Sequence, residues 1–144
     1  IIAGKKENLV NAMDLASRLG AKKAIPLPVA GAFHSALMSS AQQELNSVID
    51  DANFEDAVVP IVANTSAEAI TDKRSLRDEL KTQLQNCVLW SDSINYMIEE
   101  KVETFYEIGP GSVLSGMLKR IDSNLNVKNI GNYNQVLDYV EARS

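Results

Sequence analysis

An α/β fold is what this chain of 144 residues predicts, on three observations. From residue 54 to the end, short β-branched runs alternate with amphipathic helical stretches, the pattern of βαβ crossovers around a mostly parallel sheet. Glycine, proline and asparagine punctuate the joints of that alternation. Hydrophobic residues make up 45% and charged residues 23%, the balance of a chain that packs a core, and the length suits one domain rather than two.

The opening Ile1-Ile2-Ala3-Gly4 reads as a short apolar strand running into a glycine turn. A domain seldom begins inside a buried strand, so a fragment of a longer protein is expected. From Lys5 to Leu19, Leu9, Ala12, Met13, Ala16 and Leu19 recur at helical spacing, and Gly20 stands where a left-handed cap belongs. Ala24 to Val29 alternates Ile25, Leu27 and Val29 with Pro26 and Pro28. Two missing backbone donors make it an edge strand or a crossing segment.

After the loop Ala30-Gly31-Ala32-Phe33-His34 a long helix is expected, with Leu37, Met38, Ala41, Leu45, Val48 and Ile49 on one stripe. Val58 to Val62 reads as a short buried strand broken by Pro60, with Asn64-Thr65-Ser66 as the loop at its end. Ser75 and Asp78 have capping-box spacing ahead of a face of Leu76, Leu80 and Leu84. Ser91 would cap a helix lined by Ile94, Met97 and Ile98. Val102 to Ile108 predicts a strand, Gly109-Pro110-Gly111 a tight turn, and Val113 to Ile121 a helix that buries Val113, Leu114, Met117, Leu118 and Ile121. Val127 to Ile130 is the last strand, and Asn132 with Gln135 opens the last helix. Ligands in parallel α/β folds bind at the C-terminal ends of strands, which makes the Asn64 and Gly109 loops candidates on topology alone.

The formal charge of −5 argues against a general nucleic-acid partner, because phosphate neutralisation needs a basic face. Cys87 is the single cysteine; it excludes an internal disulfide and fits a reducing cytoplasm. No apolar run approaches the roughly 20 residues that span a bilayer, so no membrane partner is expected.

His34 is the only histidine. A lone loop histidine is more often structural than catalytic, but its place between a glycine loop and a helix start can present an acid–base group to a cleft. The Gly-Pro-Gly turn is either plain punctuation or a close backbone approach to a ligand. Ser112 and Ser115 do not fit the Gly-x-Ser-x-Gly elbow of an activated serine. Cys87 reads as an inert residue after a helix end. No metal-ligand spacing and no phosphate-cradling glycine loop is found.

Three blocks take the reading further. Leu27 to Met38, LPVAGAFHSALM, is similar to the LPVSGPFHSxLM segment of the malonyl-CoA:acyl carrier protein transacylases. Tyr106 to Gly116, YEIGPGSVLSG, resembles that family's YE(V/I)GPGxVLxGL, and Gln83 to Trp90, QLQNCVLW, its QLxxPVxW. The likeness covers essentially the whole chain and matches the C-terminal half of such an enzyme.

The resemblance implies an α/β-hydrolase-like acyltransferase domain carrying an inserted ferredoxin-like subdomain, with residues 1–29 as the end of the small subdomain and 30–144 as the C-terminal part of the large one. It implies a ping-pong reaction of fatty-acid synthesis in the cytoplasm: a serine takes malonyl from coenzyme A and passes it to the phosphopantetheine thiol of acyl carrier protein. His34 would be the general base, the main-chain carbonyl of Gln83 would orient it, and Asn64 would lie near the substrate. Phe33, just before the histidine, would narrow the pocket against an α-methyl group, worth about 1–3 kcal/mol of discrimination. No cofactor is implied, since the coenzyme A thioester is a substrate.

Departures accompany the match. Ala32 and Cys87 stand where the family commonly has proline. The Gly-His-Ser-x-Gly elbow, the arginine for the malonyl carboxylate and the glutamine of the oxyanion hole fall upstream of residue 1 in the family, so the missing N-terminal half is an expected partner and this chain alone is expected to be inactive. The other readings are a non-catalytic piece that binds acyl carrier protein and an acyltransferase domain of a polyketide synthase; the tail Glu141-Ala142-Arg143-Ser144 has no linker character, which favours a free-standing enzyme. Lys119 and Arg120 are candidates for docking an acidic partner, or plain solvated charges.

Overall fold

Six α-helices and four short strands make up residues 1–142, the part of the chain that this computed structural model describes; Arg143 and Ser144 of the tail lie outside the described residues. The backbone clusters into two units, Ile1–Leu89 and a second that begins at Trp90.

In the first unit, helix α1 is Lys6–Arg18. Its C-terminus closes as expected: Gly20 takes φ +92, and the amides of Gly20 and Ala21 donate to the carbonyls of Ser17 (3.1 Å) and Ala16 (3.0 Å). Leu9, Ala12, Met13 and Ala16 are half-buried, while Leu19 is exposed. The expected opening strand does not form. Ile1 and Ile2 are exposed and join no ladder, and an extended segment without a partner has nothing to hold it as a strand. Residues 24–29 likewise carry no ladder, which is the crossing-segment alternative.

A 3-10 turn, Ala36–Met38, leads into α2, Ser39–Asp51. The side chains that α2 buries are Gln42 and Ile49, whereas Val48 points to solvent. Strand β1 (Ile61–Val62) pairs with β2 (Ala69–Ile70) in an antiparallel hairpin. That overturns two expectations for this stretch. It is not part of a parallel sheet, and Val58 and Val59 are exposed instead of buried. The hairpin turn is closed locally by the Ala63 amide on the Glu68 carbonyl (2.9 Å), with Ala67 at φ +59.

Helix α3 is Lys73–Thr82, and its cap is Asp72, whose carboxylate accepts from the Ser75 amide at 2.9 Å. Ser75 is therefore inside the first turn, not at its mouth. The carboxylate is the better acceptor for an unpaired helix amide. Bonds to Ser75 hold the Asp72 carboxyl below its ordinary range. Lys81 of α3 pairs with Asp50 of α2, and Arg77 donates to the Ala52 carbonyl (3.1 Å) while lying 5.2 Å over the Phe54 ring. These bonds tie α3 to the end of α2.

In the second unit, α4 is Trp90–Glu99, β3 Thr104–Ile108, α5 Val113–Ile121, β4 Asn126–Ile130 and α6 Tyr133–Glu141. Ser91 lies inside α4 and does not cap it. β3 and β4 run parallel, joined through α5, with Phe105 opposite Val127 and Glu107 opposite Asn129. This is the crossover that the alternation predicts. Ile94, Phe105, Leu118 and Leu125 form the core, flanked by Trp90, Met97, Ile98, Ile121 and Val127. Burying a side chain such as Ile94 is worth about 1.5–3 kcal/mol. On the opposite face of β3 the Tyr106 ring meets Tyr139 of α6 edge-on at 5.4 Å, so helices cover both sides of the pair. Val113 and Leu114 are exposed, contrary to expectation; the buried stripe of α5 begins only at Met117 and Leu118.

Candidate functional site

His34 sits at the end of the 30–34 loop, just before Ser35, whose hydroxyl caps the 3-10 turn. Its backbone has φ +61, a left-handed conformation that costs a residue with a Cβ about 1–2 kcal/mol. Three bonds hold it there. The His34 amide donates to the Leu84 carbonyl at 2.8 Å. The ring atom Nδ1 lies 3.1 Å from the carbonyl oxygens of both Gln83 and Asn86. Carbonyl oxygens only accept, so Nδ1 carries the proton. In the neutral ring Nε2 then keeps its lone pair, the form that a general base requires.

The 83–89 segment that receives the ring is itself anchored. Gln42, with only 1% of its surface exposed, accepts from the Leu84 amide through Oε1 (3.0 Å), and its Nε2 donates to Asn46 Oδ1 (2.8 Å) and the Leu80 carbonyl (3.3 Å). Further along, the Leu89 amide donates to the Asn64 carbonyl at 2.8 Å. Asn64 therefore holds the far end of the same segment by its backbone, and its side chain is exposed. The structure thus brings His34 and Gln83 into contact, while Asn64 meets their segment six residues on from Gln83.

Phe33 is 45% exposed, and its ring folds back over Gly31. A Cβ at residue 31 would lie 3.3 Å from the ring and 3.6 Å from the Met38 sulfur. Glycine is what lets that ring rest on the loop.

Within the second unit, the Gly109-Pro110-Gly111 turn has a different construction. Gly109 and Gly111 take φ +137 and +94, and Asn129 Nδ2 donates to the Gly111 carbonyl at 2.6 Å. Glu107 reaches the open start of α5: its carboxylate accepts from the amides of Leu114 (3.0 Å) and Ser115 (2.8 Å) and from the Ser115 hydroxyl. The Ser115 hydroxyl, with smaller contributions from the two amides, holds the Glu107 carboxyl below its ordinary range against partial burial. Ser115 is thereby a capping partner, and Ser112 occupies the cap position without a side-chain bond.

Cys87 is free and exposed. Lys119 spends its ammonium on the carbonyls of Ser123 (3.1 Å) and Leu125 (2.6 Å), closing the turn after α5. Among the described residues no cluster of His, Cys, Asp and Glu could hold a metal ion, and no helix is long and apolar enough to cross a membrane.

Sequence reasoning missed Asn86 and Gln42. A main-chain carbonyl leaves no trace in residue type. Gln42 left one: it is a polar residue four positions after Met38 and seven before Ile49, within the apolar stripe.

No protein-family model matches the chain. A malonyl CoA-acyl carrier protein transacylase of Bacillus subtilis is 44% identical over 125 residues, 87% of this chain and 39% of that protein. One of Staphylococcus aureus is 35% identical over 130 residues, 90% of this chain and 42% of its own length. Among solved structures, MCAT from Streptococcus pneumoniae aligns with a TM-score of 0.88 at 33% identity, over 96% of this chain and 45% of that one. A malonyl-transacylase in complex with a type II PKS acyl-carrier protein gives 0.90 at 32% identity, over 96% and 45%. The α/β fold is the one these structures share, and the chain spans about two-fifths of the length of the curated relatives it matches.

Proposed function

We propose, from the premise that this chain is related over most of its length to the malonyl-CoA:acyl carrier protein transacylases, that it supplies the general-base side of such an acyltransferase. The observation that carries the reading is the imidazole held at φ +61 with Nδ1 on two carbonyls, because it leaves a defined basic nitrogen, Nε2. In the first half-reaction Nε2 takes the proton of a serine hydroxyl supplied by polypeptide upstream of Ile1. The oxygen attacks the malonyl thioester, the carbon–sulfur bond breaks, and the coenzyme A thiolate recovers the proton from Nε2. In the second half-reaction Nε2 takes the proton of the phosphopantetheine thiol. The sulfur attacks the seryl ester, and the serine oxygen leaves with that proton. No redox change occurs and no cofactor is consumed.

The neutral Gln83 carbonyl plays the part that a carboxylate plays in a Ser-His-Asp triad, fixing the tautomer without a buried charge. Phe33 borders the malonyl α-carbon and favours malonyl over methylmalonyl. Asn64 lines the same region. Residues 1–29 end a ferredoxin-like subdomain, and 30–144 complete an α/β-hydrolase-like one. The nucleophile, the carboxylate-binding arginine and the oxyanion donor come from an N-terminal half, and the protein serves fatty-acid synthesis in the cytoplasm. Uncovered apolar side chains fit that missing half: Ile108 and Val113, 79% and 73% exposed, flank the Gly-Pro-Gly turn.

The full-length protein with His34→Ala tests the proposal. Malonyl transfer from coenzyme A to acyl carrier protein should fall by about 10²-fold or more, the scale of general-base loss. Near-normal turnover would remove His34 from the mechanism. A second reading, transfer to a polyketide carrier protein, is favoured by the relative that is complexed with one; comparing the two carrier proteins as acceptors separates them.

A further inference from the structure

We infer that Gln42 is a positioning residue for His34, acting through the single peptide group between Gln83 and Leu84; the inference rests on the role proposed for His34 above. That peptide carries the Gln83 carbonyl at one edge and the Leu84 amide at the other. In a trans peptide these two groups point in opposite directions within one plane. His34 Nδ1 meets the carbonyl at 3.1 Å, and Gln42 Oε1 meets the amide at 3.0 Å. The result is a continuous chain, Nδ1–H to Gln83 C=O, then Leu84 N–H to Gln42 Oε1.

Two physical consequences follow. The plane of the 83–84 peptide is fixed from both edges, and with it the direction in which the carbonyl oxygen presents itself to the ring. Hydrogen bonds in series also polarise one another, so an acceptor on the Leu84 amide makes the Gln83 oxygen a better acceptor for Nδ1–H. The same pair of residues, Gln83 and Leu84, grips the histidine backbone, since the Leu84 carbonyl accepts from the His34 amide at 2.8 Å.

Gln42 is built for this hold. It is 1% exposed, and its amide has one workable orientation: the oxygen must face the Leu84 donor and the nitrogen the Leu80 carbonyl, with Asn46 Oδ1 taking the second proton. A buried amide with every polar group satisfied is rigid, because any rotation leaves a desolvated group unpaired. Helix α3, which ends at Thr82, is thereby locked to α2 at the point where the chain turns toward His34. A helix-stripe Leu would fill this space but could not accept from Leu84, and the thioether of Met is only a weak acceptor.

The experiment uses the full-length protein, isotope-labelled, as wild type and as Gln42→Met, with His34→Ala to identify the His34 ring signals. In the wild type the Leu84 amide should exchange with solvent slowly. In Gln42→Met the Nδ1–H resonance should move or broaden, and kcat for malonyl transfer should drop about tenfold at unchanged KM, the scale of losing an outer partner of a functional side chain, with the pH–rate profile displaced. Fast exchange at Leu84 in the wild type, or an unaltered ring signal and pH profile in Gln42→Met, would overturn the inference. If Gln42→Met does not fold, the wild-type exchange rate alone decides it. Should the wild type transfer no malonyl at all, the transacylase reading fails, and the exchange and ring measurements still decide whether Gln42 holds His34.

Discussion

The 30–34 loop and the 109–111 turn each solve the same local problem, a sharp entry into a helical segment, and they assign the strained backbone to opposite kinds of residue. At the turn the left-handed positions are Gly109 and Gly111, which adopt them without a steric cost. At the loop the left-handed residue is His34, although Gly31 stands three positions away. The polar bookkeeping differs too. Around the turn, Glu107, Ser115 and Asn129 are spent on one another and on backbone groups. Around the loop the hydrogen bonds end on a ring with one nitrogen, Nε2, left available. Backbone strain kept beneath a side chain that can move a proton points to chemistry, and a left-handed backbone given to glycine, which bears it freely, points to construction.

Gly131 offers the hardest test of the constructional side. A Cβ there would lie 2.9 Å from the Gly109 carbonyl oxygen and 3.1 Å from Asn129 Oδ1, and the first of these is backbone, held by the Gly109 amide on the Ile130 carbonyl (3.0 Å). Gly131→Ala should cost about 1–3 kcal/mol, read as a lower midpoint in denaturant titration. An unshifted midpoint would mean that the turn is slack.

Glu107 sharpens the comparison through pH. Its native carboxyl titrates below the ordinary glutamate range, chiefly because of the Ser115 hydroxyl. A depressed native value means that the contribution to stability is fully present above the unfolded-state value and is lost as pH falls through the native one. Glu107→Gln should therefore melt below the wild type at neutral pH, and the gap should close in acid. A gap independent of pH would show that the charge on Glu107 does not matter to the cap.

The smallest change is expected at the chemical side. His34→Gly gives up a ring hydrogen bond worth about 1 kcal/mol and gains relief of about the same size from the left-handed backbone. Folding stability measured by denaturant should stay within about 1 kcal/mol of the wild type. A much larger loss would make His34 a structural residue and erase the contrast.

Much of the fold was legible because it is written locally. Helix α5 matches its expected limits, Val113 and Ile121, and α6 opens on Asn132, which accepts from the Gln135 amide at 3.1 Å while Gln135 accepts from the Gly131 amide at 2.7 Å. Periodicity and cap chemistry sit within a few residues of each other. The hairpin of β1 and β2 was not legible, since two-residue strands leave no alternation to read and their pairing is a tertiary fact. Exposure of Val58, Val113 and Leu114 escaped as well, because apolar spacing marks a face without saying what covers it. At the candidate site, composition singled out His34 alone. Gln83 entered through a resemblance, and Gln42 and the Asn86 carbonyl needed coordinates, since an acceptor atom on the main chain has no letter of its own.

The bare Gly31 beneath the Phe33 ring has an evolutionary corollary. Adding one methyl group at residue 31 would press on the Phe33 ring and displace it by a few tenths of an ångström without altering residue 33 itself. The placing of that ring can thus drift by changes in the floor beneath it, and a survey of position 33 by itself would overlook them.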